Sequence, residues 1–400
     1  MEVVEGVTNR YGYLYDAVGR LMDVTTKGYL KSRYRYDANG NRTNAVVNGN
    51  GVAAVYDAQD RLLTNGAARY QYNAHGTLTN RIDGSTTQVY VYDTRGSLLQ
   101  VRIGTNMIAY TVDPLGRRIA RTRNGTTTQR IVYQDFLKPI ATLHGDGRVD
   151  SRFVYATRAN VPDYMTRSGQ TYRIVTDHLG SVRLVVNAAS GVVAQRLDYD
   201  EWGQVLNDTN PGFQPFGFAG GLYDPDTGLT RFGYRDYDPT VGRWLAKDPI
   251  LFEGGQANLY LYCHGDPINS LDPWGLVSVA PTSCIDFGLE LIKAYRIYRD
   301  ARDKQPGHND IRDAMRHADT SKRVAEDTSL FTSALLGLAN EVKNLAYDRQ
   351  PSGEVGMDLY NNLQGLLSAA TGNPINPDQL KTLDPSSDSY TYGGGCGKEN

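Results

Sequence analysis

Eight short segments of the chain repeat one pattern. It reads YDAVGRL from Tyr15, YDANGNR from Tyr36, YDAQDRL from Tyr56, YNAHGTL from Tyr72 and YDTRGSL from Tyr92. It continues as VDPLGRR from Val112, TDHLGSVR from Thr176 and YDEWGQV from Tyr199. Most neighbours lie about 20 residues apart, a period typical of solenoids and arrays. Each copy holds the parts of a β-hairpin. A tyrosine ends one strand, an aspartate can accept from nearby backbone N–H groups, a glycine supplies positive φ, and an apolar residue with arginine opens the return strand. Flanking runs such as Tyr70–Asn73 and Val89–Tyr92 are short and rich in strand formers. A lone hairpin is marginal in water, so the copies are expected to pair edge to edge into one sheet, with the tyrosines stacked as a ladder on one face. Turn chemistry and packing account for the motif; a binding surface is the alternative.

The 400 residues include 42 Gly and 28 Tyr, and 40% are hydrophobic, enough for a sizeable core in two or three domains. A formal net charge of −2 gives no global field toward nucleic acid or an anionic membrane. No apolar run approaches the roughly 18 residues of a spanning helix. The start, MEVVEGVTNRYGY, lacks the basic and then apolar character of a signal peptide. Cys263, Cys284 and Cys396 show no short CxxC spacing, which excludes a disulfide scaffold and a Cys-rich zinc module.

Over residues 10–276 the repeated YDxxGR resembles the RHS/YD-repeat family. The resemblance implies a β-rich YD-repeat shell, a spiral antiparallel sheet of hairpins, over residues 1–215. Family shells carry more repeats and follow an N-terminal delivery region. The count here therefore argues for part of a β-shell, an orphan piece, rather than a closed one.

Residues 216–276 change signature: RDYDPTVGRW, KDP, NLYLY, DPIN and the closing DPWGL follow one another. This stretch resembles the RHS-associated core, which in relatives ends the shell and separates it from variable C-terminal cargo. Many relatives cut their own chain after DPxGL, which corresponds here to Leu276–Val277. Aspartyl-type autoproteolysis needs two carboxylates close enough to share a proton, one to activate water and one to protonate the leaving amine. The resemblance puts these roles on Asp238 and Asp248, with Arg235 as the arginine that holds one of them ionised. Asp272 reads as structural. Read without the resemblance, Asp238 and Asp248 are turn caps before Pro239 and Pro249.

From Val277 to Asn400 the repeats stop, and 13 Lys and Arg against 17 Asp and Glu leave this part at −4. Periodicity predicts helices over 285–303, about 309–327, 329–347 and 356–370, then a mobile tail from Ser386. Polar residues gather on these helices. Asp313 and His317 share a face beside Arg316, Glu341 interrupts an apolar stripe, and Asp358 shares a face with Asn362. The runs NDIRDAMRHADTSKRVA, ANEVKNL and GMDLYNNLQG resemble an all-helical tip domain of polymorphic toxins whose activity is unknown. Asn340 stands where that pattern has a histidine. Three readings remain open. One is a metal-dependent or His-based hydrolase, with His317 and Asp313 as candidate ligands of a divalent metal and Glu341 and Asp358 completing a carboxylate cluster. Another is a buried structural network. The third is membrane insertion around Leu330–Leu338, which nearby Glu341 and Lys343 oppose. An acidic domain without a Lys/Arg stripe carries no nucleic-acid footprint.

Together these features predict a bacterial RHS-type polymorphic toxin fragment with a small all-α C-terminal domain. Its shell would sequester a helical effector and release it by self-cleavage. The expected partners are a cognate immunity protein, delivery machinery and a target-cell substrate. Synthesis would occur in the bacterial cytoplasm, with later secretion into a competitor. The alternative is a structural or cell-surface YD-repeat protein without catalysis.

Overall fold

The computed structural model describes residues 2–4, 7–158, 160–280, 381–383 and 390–392. The chain divides into two compact units, Met1–Ile285 and Asp286–Asn400. In the second unit the described residues are the strands Lys381–Leu383 and Tyr390–Tyr392, an antiparallel pair. The predicted effector helices, with Asp313, Arg316, His317, Glu341, Asp358 and Asn362, lie outside the described residues.

The first unit is built around twenty strands, from Tyr11–Tyr15 to Val205–Asp208. They follow one another in chain order, and the last lies beside the first to close a barrel. The ladders between neighbouring strands of this ring are antiparallel, as hairpins require. The repeat count argued against closure, and the structure corrects it. Two degenerate copies hide between Val112 and Thr176, where Tyr133 and Tyr155 end the strands Thr126–Tyr133 and Val149–Val154 or follow them directly. Asp135 bonds the backbone N–H of Leu137 and Lys138, and Asp163 bonds those of Ala156 and Thr157, so both sites still turn the chain. Ten turns then give twenty strands.

The first repeat shows the local cause. Oδ1 of Asp16 accepts from the N–H groups of Val18 and Arg20 at 3.1 and 2.9 Å, and its Oδ2 accepts from Arg20 Nε at 2.6 Å. Gly19 sits at φ +86°, where a Cβ would be strained. Successive repeats are stitched by polar groups rather than by stacked rings. Tyr36 donates its hydroxyl to Leu21 O, Tyr56 to Arg42 O and Tyr133 to Arg118 O. The Arg20 and Arg117 guanidinium groups lie over the rings of Tyr36 and Tyr133. The ring is tied at its seam by Glu201 from the last repeat, which pairs with Lys31 at 2.9 Å and accepts from the Tyr34 hydroxyl. Trp202 meets Tyr34 edge to face.

Residues 216–280 form a separate module against the YD turns. Its sheet holds Leu222–Tyr223, Thr230–Phe232, Arg235–Asp238 and Arg243–Trp244. Tyr237 donates to Trp202 O, Tyr260 to Gly76 O, and Arg231 to Gly116 O. Arg118 pairs with Asp236 at 2.7 Å, and Arg121 pairs with Asp224 at 2.8 Å. Because these contacts reach turns spread around the ring, the module covers the rim on which those turns lie.

Candidate active site

The module's centre is apolar. Phe232, Tyr237, Trp244 and Tyr262 are buried and pack ring against ring, with Tyr237 and Tyr262 centroids 4.5 Å apart. Into this environment the strand Arg235–Asp238 delivers Arg235, whose guanidinium lies 4.1 Å from the centre of the Trp244 ring. A buried guanidinium must be fully engaged, and this one is. Its Nη2 meets Asp248 Oδ2 at 2.8 Å and Asp272 Oδ2 at 3.1 Å, and its Nε donates to Gly275 O at 2.6 Å.

Asp272 opens the DPWGL turn. Its Oδ1 accepts from the N–H of Leu276 at 2.9 Å and from the N–H of Val277 at 3.1 Å. The Val277 nitrogen is the amine side of the Leu276–Val277 peptide bond. On the carbonyl side stands Gly254, whose absent Cβ would sit 2.7 Å from Leu276 O and 3.0 Å from Asp248 Oδ2. One carboxylate thus faces the nitrogen of this peptide, and the other borders the same gap at Gly254 that the peptide oxygen borders. Burial pushes Asp248 up to about 7, with Arg235 pulling it back and Asp272 pushing it further. Burial also raises Asp272, against the pull of Arg235 and the two N–H groups. Two acids sharing one cation in a dry site can hold one proton between them near neutrality.

The structure brings together Arg235, Asp248, Leu276 and Val277 from the sequence-derived set, but not Asp238. Residues 235 and 238 of one strand point to opposite faces. Asp238 instead accepts from the Thr240 N–H at 2.9 Å and hydroxyl at 2.6 Å, capping the turn before Arg243. Its charge is felt at Tyr70, Arg81 and Tyr90 of the barrel wall. Asp272, read from sequence as structural, is the carboxylate that accepts the Val277 N–H and meets Arg235 beside Asp248. The available signal was its place four and five residues before Leu276 and Val277, the reach of an aspartate that bonds the backbone of its own turn.

A closed wall of YD hairpins under an aromatic module defines an RHS/YD-repeat shell protein. Residues 1–268 match the family described as Teneurin YD-shell, and the chain belongs to that family. Teneurin-4 of Homo sapiens is 30% identical over 300 residues, which are 71% of this chain and 11% of that protein. Double-stranded DNA deaminase toxin A of Burkholderia cenocepacia (strain H111) is 30% identical over 307 residues, 66% of this chain and 19% of that one. A crystal structure of TcdB2-TccC3 without its hypervariable C-terminal region aligns with a TM-score of 0.37 and 19% identity, covering 67% of this chain and 18% of that one. The chain thus spans between about a tenth and a fifth of the length of these proteins.

Proposed function

We propose that this chain is a shell scaffold that cuts itself between Leu276 and Val277, with Asp248 and Asp272 as the catalytic acids and Arg235 as their shared cation. The observation that carries this reading is Asp272 Oδ1 at 3.1 Å from the Val277 nitrogen, on the same guanidinium as Asp248. Protonated Asp248 polarises the Leu276 carbonyl. Asp272 takes a proton from a water molecule as the water oxygen bonds to the Leu276 carbon. The carbon–nitrogen bond then breaks, Asp272 passes that proton to the Val277 nitrogen, and Leu276 keeps the water oxygen as a new carboxyl group. Asp238 takes no part.

Residues 277–400 are then the released cargo, a helical effector of an RHS-type polymorphic toxin. A Burkholderia relative named as a deaminase toxin supports a toxin setting. In this reading a delivery apparatus carries the protein out of the producing bacterium, and an immunity protein guards the producer. The effector is a hydrolase built on His317 and Asp313, with a divalent metal as its candidate cofactor. A second reading is a structural or surface scaffold without catalysis, in which the buried Arg235–Asp248–Asp272 cluster only fixes the closing turn. Intact-mass analysis of the purified full chain separates the two. Cleavage gives two masses that meet at Leu276 and a single mass in Asp248→Asn; one uncut wild-type chain supports the scaffold.

A further inference from the structure

The strongest unassigned feature is the short segment that follows Asp248. Leu251–Gly254 is a 3-10 turn, and its first residue is held at φ +53° although it is a leucine. Such a backbone costs about 1–2 kcal/mol for an ordinary residue and persists only where its surroundings enforce it. The turn begins from Asp248 itself, whose Oδ1 accepts the Ile250 N–H at 3.0 Å and whose carbonyl accepts the Leu251 N–H at 3.0 Å. It ends at Gly254, a buried residue whose missing Cβ position is bordered by the Asp248 carboxylate and the Leu276 carbonyl.

We infer that Gly254 is a positioning residue for self-cleavage: its missing side chain leaves the gap through which Asp248 reaches the Leu276 carbonyl. This rests on the cleavage reading above. A methyl group at 254 would lie within 3.0 Å of Asp248 Oδ2 and 2.7 Å of Leu276 O at once, closer than such contacts allow. One of the two must move, and the oxygen to be polarised leaves the acid that polarises it. Misplacement of about 1 Å in such a contact costs on the order of a hundredfold in rate.

Gly255 is an internal control. It has φ +77° and nothing within 4 Å of a Cβ, so Gly255→Ala strains the same turn without entering the gap. The experiment follows cleavage of the full chain after refolding from denaturant, in wild type, Gly254→Ala and Gly255→Ala, between pH 5 and 9. The expected result is cleavage slowed about a hundredfold in Gly254→Ala with an unchanged circular dichroism spectrum, and near wild-type rates in Gly255→Ala. The residual activity of Gly254→Ala should lose the decline above neutrality expected of wild type, because Asp248 no longer serves the carbonyl. Wild-type cleavage with an equally fast Gly254→Ala overturns the inference while sparing the cleavage reading. So does a Gly254→Ala rate lowered uniformly across pH, which would mark a merely structural role. An uncut wild-type chain overturns the cleavage reading itself.

Discussion

The barrel wall and the module on its rim solve opposite problems with the same residue types. In the wall, Gly19 serves the backbone alone: it has φ +86° and open space where a Cβ would lie. The third repeat replaces that glycine with Asp60 at φ +61° and the turn survives. In the module, Gly233 is held by sterics. A Cβ there would lie 2.2 Å from Trp274 O, where the DPWGL turn passes under the strand sheet. Arginines differ in the same way. Arg20 and Arg61 clamp the aspartates of their own partly exposed turns, where ion pairs contribute little. Arg235 is buried between two acids and a tryptophan. The wall is assembled from many weak, interchangeable parts, and the module from few parts that tolerate no change. Burial raises a carboxyl group in each region, Asp200 of the wall to about 6 and Asp248 of the module to about 7, and in the module the raised acid shares a guanidinium with a second acid.

Four perturbations test that contrast. The largest effect is expected from Asp272→Asn, which should slow cleavage by about 10²–10⁴-fold, whereas Asp238→Asn should leave the rate near wild type. Fragment appearance on denaturing gels measures both, and equal losses would return Asp238 to the active pair. Trp244→Ala comes next, at about 3–5 kcal/mol of stability. An exposed wall change such as Val55→Ala should stay within about 0.5 kcal/mol; chemical denaturation compares them.

Third is pH. Asp248 has a folded-state value raised to about 7, so its active, protonated form dominates below that pH. The cleavage rate should fall about tenfold per unit above it, and fall again at the acid end, where Asp272, the base, takes up its own proton. A rate that rises with pH across the Asp248 value would assign Asp248 the role of base. The smallest effect is expected at a single stitch of the wall. Tyr56→Phe removes the hydroxyl that bonds Arg42 O at 2.9 Å and should cost about 0.5–1.5 kcal/mol, seen as a modest shift in the thermal midpoint. A loss as large as that of Trp244→Ala would mean that the wall is not the tolerant partner.

The sequence disclosed the wall far better than the candidate site, and the reason is physical. A hairpin is local, so tyrosine, aspartate and glycine at fixed spacing declare it wherever they occur. Closure was hidden because the turns at Asp135 and Asp163 keep the aspartate but lose the glycine, which left two repeats uncounted. The expected tyrosine ladder became hydroxyl and guanidinium stitches, a choice of orientation that a one-dimensional pattern does not encode. In the module, Arg235 and Asp248 were legible from their motifs. Asp238 was misplaced because its separation from Arg235 by three strand positions was not weighed against side-chain alternation. Asp272 was undervalued because an aspartate before proline is so often a turn former. Here it forms the turn and also holds the peptide that the turn presents.

The most direct test is cleavage carried out in water enriched in oxygen-18, read by mass spectrometry and N-terminal sequencing. One new N-terminus at Val277 and one heavy oxygen in the carboxyl group of Leu276 are expected, with neither product in Asp248→Asn or Asp272→Asn. A cut at another bond, a Leu276 carboxyl without the label, or cleavage that persists in both variants would contradict hydrolysis by this pair of acids.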